Sequence, residues 1–368
     1  MELETVVTTL LNIACALSIV VALHTAINLI LVIRPKPARV LESVSILIPA
    51  RNESANIANV LTSALAQKQI DDLQVVVLDD NSTDDTLDIA RKFSDSRLHV
   101  IASTEEPPEG WHGKAWACQR LANATTSDIL VFIDADVTLQ SEAVCSAINA
   151  MSEYNLALVS PFPRQETTQP LTRLIQPLLQ WSWLSAVPLL VARRFTIPTL
   201  AVANGQFIVC RRSDYVKAGG HESVKGAVVE DIELARQFSR HKLRNSVADG
   251  SKIASCLMYP TDRELIDGYS KNAWSAFNGI AGSLAVNAAM LFVYVFPLMG
   301  FITGHTSVAA LTLSVHISSR LLIGKATSAR IWPEVLLHPI AISIFSGINV
   351  LSWIRHIRGT NTWKGRTV

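Results

Sequence analysis

The run Asp128-Ile129-Leu130-Val131-Phe132-Ile133-Asp134-Ala135-Asp136-Val137 constrains the fold more than any other stretch, because an apolar core of five residues ends abruptly in two carboxylates one residue apart. Such a run reads as a strand buried on both faces, as in a parallel sheet. In open α/β sheets ligands bind beyond the carboxyl ends of the strands, so Asp134 and Asp136 are expected where a substrate arrives. Paired hard oxygen ligands suit Mg²⁺ or Mn²⁺ held jointly with substrate phosphates, since such ions keep positions open for water and phosphate oxygens. Taken alone, the triplet is better explained as a surface turn with a helix cap. Its neighbours change that.

Ser43 to Pro49 is a first strand candidate, followed by the turn Ala50-Arg51-Asn52-Glu53-Ser54 and a helix-period segment to about Gln67. Gln74 to Asp84 repeats the pattern of a β-branched run ending in acids (Asp79, Asp80, Asp84), then a helix through Lys92 and a short strand from Leu98 to Ala102. Strand and helix alternate, the pattern of a parallel α/β sheet with crossover helices. One sheet edge is thereby expected to collect Arg51, Asn52, Glu53, Asp79, Asp80, Asp134 and Asp136. Before the central strand, Gly110-Trp111-His112-Gly113-Lys114 permits a tight loop, with Lys114 at a helix start where a diphosphate is favoured; a solvated lysine in an ordinary loop is the competing reading.

The 32 basic and 31 acidic residues leave a net charge of +1, so no global electrostatic case exists for a nucleic-acid partner. A hydrophobic share of 49% and mean hydropathy of +0.29, concentrated at the two ends, indicate a membrane protein with a soluble middle. Five scattered cysteines show neither a disulfide framework nor a zinc spacing, which fits a reducing cytoplasm. Val6 to Ile33 holds 28 residues without a charge, enough to cross a bilayer. No basic segment precedes it as in a signal peptide. Arg34, Lys36 and Arg39 after it place the following domain in the cytoplasm. Ser283 to Gly304, His305 to Gly324 and Val335 to Ile354 are further apolar stretches. Three full crossings there would leave one flanking basic group outside, so the last stretch is re-entrant or interfacial, or the positive-inside rule fails.

Residues 171 to 194, apolar with Trp181 and Trp183 but broken by Pro177 and Pro188, read as an amphipathic interfacial segment or as core packing. Asn204-Gly205-Gln206 follows, where glycine would allow close backbone approach to a ligand. Glu230-Asp231 precedes a helix. Without context, that pair is best explained by the helix dipole.

In their order, Pro49-Ala50-Arg51-Asn52-Glu53, Asp79-Asp80-Asn81-Ser82-Thr83-Asp84, Gly113-Lys114-Ala115-Trp116-Ala117 and Asp134-Ala135-Asp136 resemble the nucleotide-sugar-binding half of family 2 glycosyltransferases of the GT-A fold. Trp111 to Lys114, Asn204 to Gln206 and Thr362-Trp363-Lys364-Gly365-Arg366 are similar to a membrane-bound subgroup, the hopanoid-associated and carotenoid-pathway glycosyltransferases, itself related to ceramide glucosyltransferase. The likeness runs from about residue 43 to 282 and again in the tail. It implies that Arg51, Glu53, Asp79, Asp80 and Lys114 contact a UDP-sugar, that Asp136 ligates a divalent cation with Asp134 alongside, and that Asn204, Gly205 and Gln206 line the sugar. It also implies Asp231 as the general base that deprotonates an acceptor hydroxyl, with Glu230 supporting it or contacting the acceptor. A single in-line displacement then gives a β-linked product from an α-linked donor. Lys271 and Trp274 keep the basic and aromatic positions of the family's Gln-x-x-Arg-Trp motif, one helical turn apart, for the acceptor or diphosphate. The Gln-Arg start of the processive synthases is missing, which favours single-sugar transfer over polymer extrusion.

The expected architecture is therefore an α/β, Rossmann-like GT-A domain flanked by transmembrane helices. Residues 1–39 form a membrane helix and basic stop, 40–262 a cytoplasmic catalytic domain, 263–282 an interfacial Lys-x-x-Trp segment, 283–354 a membrane region and 355–368 a basic tail. The expected activity is metal-dependent transfer of one sugar from a UDP-sugar to a lipid hydroxyl at the cytoplasmic face of a bacterial-type plasma membrane, with no nucleic-acid partner. The alternatives are a polyprenyl-phosphate sugar transferase, a polysaccharide synthase, and a non-catalytic membrane scaffold or transporter.

Overall fold

The computed structural model describes residues 2–277 and 279–360, and the backbone alone of 362–363 and 366–367. The tail residues Lys364 and Gly365, part of the similarity noted above, lie outside the described residues. The chain divides into two units, one formed by residues 32–166 and 189–258, the other by 1–31, 167–188 and 259–368. The expected 40–262 domain is thus discontinuous, with residues 167–188 belonging to the helical unit.

The first unit is built on a seven-stranded sheet. Its strands are β1 (Val44–Ala50), β2 (Leu73–Asp80), β3 (Leu98–Ser103), β4 (Ile129–Ile133), β6 (Leu158–Phe162), β8 (Phe207–Arg211) and β9 (Asn245–Asp249), in the order β3-β2-β1-β4-β8-β6-β9. A small second sheet joins β5 (Val137–Leu139), β7 (Arg164–Gln165) and β10 (Ala254–Cys256). All five β4 residues are buried. Ile129, Val131 and Ile133 enter the core on one face, beside the Ile57–Leu65 and Ala143–Glu153 helices, and Leu130 and Phe132 the core on the other, beside the Gly113–Asn123 and Glu230–Arg240 helices. With each such side chain contributing about 1.5–3 kcal/mol on full burial, helices on both faces explain why the run is uniformly apolar rather than alternating.

The sheet is mixed rather than parallel as expected. β8 runs antiparallel to both β4 and β6, with Ile133 opposite Phe207 and Phe132 opposite Ile208. An antiparallel neighbour starts where the parallel strands end. The reversal therefore brings the Asn204-Gly205-Gln206 entry to β8 directly beside the exit of β4, and Asp134 N–H donates to Gln206 C=O at 3.2 Å.

In the helical unit, four segments among the described residues are long and apolar enough to cross a membrane: Glu2–Leu31, Ile280–Phe301, Thr306–Ala326 and Glu334–Ile357. Residues 171–194 do not form one amphipathic segment. Pro177 and Pro188 divide them into the helices Pro170–Ile175, Pro177–Ala186 and Leu189–Arg194. Trp181 and Trp183 are buried, and Asn28 Nδ2 donates to the carbonyls of Leu184 and Val187 at 2.8 and 2.7 Å. Core packing is thus the outcome for Pro177–Ala186: the Trp181 ring packs edge-on against Tyr294 and His338, and the Trp183 indole N–H donates to Gln180 within the helix. The Asp262–Ala276 helix, which carries Lys271 and Trp274, packs along His338–Ile357: Trp274 N–H donates to Ser352 Oγ at 2.9 Å, and its ring stacks on His356 at 3.6 Å.

Candidate active site

The turns after β1 and β2 are tied into one another. Asn52 and Asn81 take left-handed backbone conformations (φ 53° and 57°), which asparagine tolerates better than most residues. Arg51 Nη1 donates to Asp80 C=O at 2.7 Å, Asn52 N–H to Ser82 Oγ at 2.9 Å, and Thr83 N–H to Asn52 Oδ1 at 2.8 Å. Asp84 fastens the pair, accepting from Ser54 N–H and from both the N–H and Oγ of Thr86. Burial would raise the Asp84 carboxyl, but those hydrogen bonds outweigh it and hold it at about 2. Asp79 Oδ2 accepts from Ser82 N–H at 3.2 Å, while its buried Oδ1 has no hydrogen-bond partner among the described residues.

Lys114, in the first turn of the Gly113–Asn123 helix, joins the two principal acid motifs. Its Nζ lies 2.7 Å from Asp134 Oδ1 and 3.2 Å from Glu230 Oε1. Burial alone would lower this ammonium, yet Asp134 and Glu230 together hold it well above its ordinary value. Asp231 Oδ2 accepts from Gly205 N–H at 2.6 Å, and Oδ1 from Ile232 N–H at 2.7 Å. Burial first, and Glu230 second, push the Asp231 carboxyl up to about 6 in spite of Lys114 and these two donors. Gly205 sits where nothing larger fits comfortably: a Cβ there would lie 2.9 Å from Lys114 Nζ and 3.4 Å from Asp231 Oδ2. Lys114, Asp134, Gly205, Glu230 and Asp231 thus line one small cleft, floored by Phe132, Ile208 and His221.

Asn204 and Gln206 are placed differently from Gly205. Both are buried, and their side chains face a polar network beneath the cleft. Gln206 Oε1 accepts from Gln165 Nε2 at 2.8 Å and from Asn204 Nδ2 at 2.9 Å, and Gln206 Nε2 donates to Cys256 Sγ at 3.1 Å. The pairing of β5 with β10 sets Cys256 opposite Val137, so its thiol also reaches Asp136. Asp84, Gln165, His221 and Cys256 were not singled out by sequence reasoning. Asp84 lay inside a motif already read. Gln165 and Cys256 depend on strand pairings that carry no local signal, and His221 lies in a 3-10 turn where its backbone N–H and ring meet the Tyr215 hydroxyl.

The Asp134-Asp136 region fits a divalent cation. Asp136 Oδ1 is buried with no hydrogen-bond partner among the described residues, and burial, Asp134 and Glu53 in that order raise the Asp136 carboxyl to about 7. Carboxylates that repel one another across a buried space are relieved by a metal ion. Among the described residues no three His, Cys, Asp or Glu side chains converge on one point, so the remaining ligands of such an ion must be water or substrate oxygens. Lys271 and Trp274 belong to the helical unit.

The fold has a solved counterpart. A mannosyltransferase from Pyrobaculum calidifontis, PcManGT, described in complex with GDP-Man and Mn2+, superposes with a TM-score of 0.59 over 96% of this chain and 99% of that one, at 15% identity. The α/β unit has the GT-A fold. Residues 45–218 match the family model for glycosyl transferase family 2. Curated 4,4'-diaponeurosporenoate glycosyltransferases are 27% identical: that of Staphylococcus aureus (strain bovine RF122 / ET3-1) over 88% of both chains, and that of Staphylococcus haemolyticus over 73% of this chain and 69% of its own length. The family match over residues 45–218 and the glycosyltransferase relatives together support a family 2 glycosyltransferase enzyme.

Proposed function

We propose that the chain is an inverting, divalent-cation-dependent transferase that moves one sugar from a UDP-sugar to a lipid hydroxyl at the cytoplasmic membrane face. The observation that carries this reading is the bridging of Asp134 and Glu230 by Lys114 beside an Asp231 held by Gly205 N–H. Donor-side and acceptor-side acids share one cleft.

Arg51, Glu53, Asp79 and Asp80 form the uridine end, where the unsatisfied Asp79 Oδ1 is an acceptor for a ribose hydroxyl or a uracil N–H. Asp136 holds the cation and Asp134, already paired with Lys114, stands beside it. When bound, the cation neutralises charge developing on the leaving diphosphate. Lys114 adds a second positive charge at the same place. Asp231 takes the proton of the acceptor hydroxyl as that oxygen attacks the anomeric carbon. Its elevated value keeps it basic enough to accept a proton yet largely ionised near neutrality. Asn204 and Gln206 support the floor instead of touching the sugar. The four apolar helices are read as membrane spans, and Lys271 and Trp274 as acceptor-side residues carried by the helical unit.

A second acceptor class is favoured by the relatives, whose named acceptor, diaponeurosporenoate, is an apolar carboxylate. An acceptor already ionised needs no base. UDP release by detergent-solubilised protein, across a panel of UDP-sugars with a total lipid extract, tests both readings when the lipids are followed by mass spectrometry. One donor giving a single-hexose shift that Asp136→Ala and Asp231→Asn each abolish supports the hydroxyl reading. An active Asp231→Asn variant transfers the assignment to a carboxylate or phosphate acceptor, and a ladder of products to a polysaccharide synthase.

A further inference from the structure

Arg320 lies six residues before the C-terminal end of the Thr306–Ala326 helix, about 9 Å along its axis, and is 7% exposed. Its Nη1 donates to Pro177 C=O at 3.2 Å, and its Nε is buried with no hydrogen-bond partner among the described residues. No described carboxylate pairs with it. The neighbouring acid, Glu334, is engaged by Arg330 Nε at 2.8 Å. A guanidinium in a helix this apolar is costly without a counter-charge and marks a functional site by default.

The guanidinium lines a small cleft open to solvent, together with Pro177, Gly324, Ala329, Arg330, Ile331 and Val335. Gly324 shapes one wall, for a Cβ there would meet Ile331 Cγ1 at 2.9 Å. Since Glu334 neutralises Arg330, the cleft carries one net positive charge between aliphatic walls. Arginine's planar fork suits a phosphate oxygen pair. We propose that this cleft binds one phosphate monoanion, supplied by the headgroup of an anionic phospholipid whose chains lie against the partly exposed Ile331. The depth of Arg320 inside the helix and the apolar walls assign the phosphate to a lipid rather than to free solution. The proposal rests on these helices spanning a membrane, which alkaline carbonate extraction reports separately.

The test uses full-length protein in neutral detergent, native mass spectrometry, and phosphatidylglycerol, phosphatidylcholine or inorganic phosphate as probes. Wild type is expected to retain one phosphatidylglycerol about tenfold more tightly than phosphatidylcholine, a difference lost in Arg320→Met. Ala329→Phe keeps the guanidinium, fills the cleft from its partly exposed rim, and is expected to lose the lipid too, which separates ligand loss from misfolding. Equal retention of the two lipids, or unchanged retention in a folded Ala329→Phe variant, overturns the site. Displacement of the lipid by millimolar inorganic phosphate overturns the lipid assignment.

Discussion

Gly205→Ala isolates the geometry of the catalytic cleft from its chemistry. The residue is not among those with positive φ, so alanine brings no backbone strain, and no titratable group is removed. The added methyl lies 2.9 Å from Lys114 Nζ, closer than real Cβ contacts come, and 3.4 and 3.5 Å from Asp231 Oδ2 and Cβ. The flexible end of Lys114 must therefore move by some tenths of an ångström. Asp231, held at 2.6 Å by the same residue's N–H, is pressed from one side. Misplacements approaching 1 Å in a reacting geometry lower rates about 100-fold, so a loss of about 10- to 100-fold in kcat is expected. The lysine tip yields cheaply, so destabilisation should stay below about 1 kcal/mol, a Tm shift of about 2–4 °C for a domain of this size. Initial-rate UDP release and a thermal melt on the same preparation measure both. Activity within twofold of wild type would refute the placement of Gly205 between Lys114 and Asp231. So would a rate loss that merely tracks a collapse in Tm.

Asp231 sets the acid limb of the rate. Its carboxyl is raised to about 6, so the basic form disappears as pH falls through that value; kcat/KM should drop tenfold per unit below it and level off above. Asp231→Asn should lower the rate about 10²- to 10⁴-fold and remove that limb. Asp84, held at about 2 against an ordinary 3.8, stabilises the fold above pH 4, and the contribution is lost as pH falls from there through 2. Asp84→Ala should cost about 1 kcal/mol in urea melts at pH 7 and less at pH 3. Gln206→Leu leaves Gln165 and Asn204 donors unpaired in a buried place and should lower stability by about 1–3 kcal/mol. A Gln206→Leu variant that melts like wild type and changes only the donor KM would restore the sugar-contact role to that side chain.

Legibility in the sequence followed how local each interaction is. β4 was readable because a strand buried on both faces must be apolar throughout, and its carboxylates must then mark a strand end. Arg51, Glu53, Asp79, Asp80 and Asp134 lay beside such runs and came with them, whereas Lys114 was marked by the glycine loop that opens its helix. The reversal of β8 was not readable: Phe207 to Arg211 is equally apolar in either direction, and only its partners β4 and β6 fix the sense. For the same reason Gln206 was read as a sugar contact, whereas its partners Gln165 and Cys256 are 41 and 50 residues away. Trp181 and Trp183 misled in the opposite way. Tryptophans beside a basic end suggest an interface, but Asn28, 156 residues from Leu184, draws that helix into a core.

The most direct measurement is the affinity of UDP with Mn²⁺ for wild type, Asp136→Ala and Asp231→Asn in parallel with sugar transfer by each. If Asp136 holds the cation and Asp231 serves only the acceptor, Asp231→Asn binds UDP as wild type does while failing to transfer, and Asp136→Ala loses both. Loss of UDP binding in Asp231→Asn, or full transfer by it, would contradict that division of the cleft.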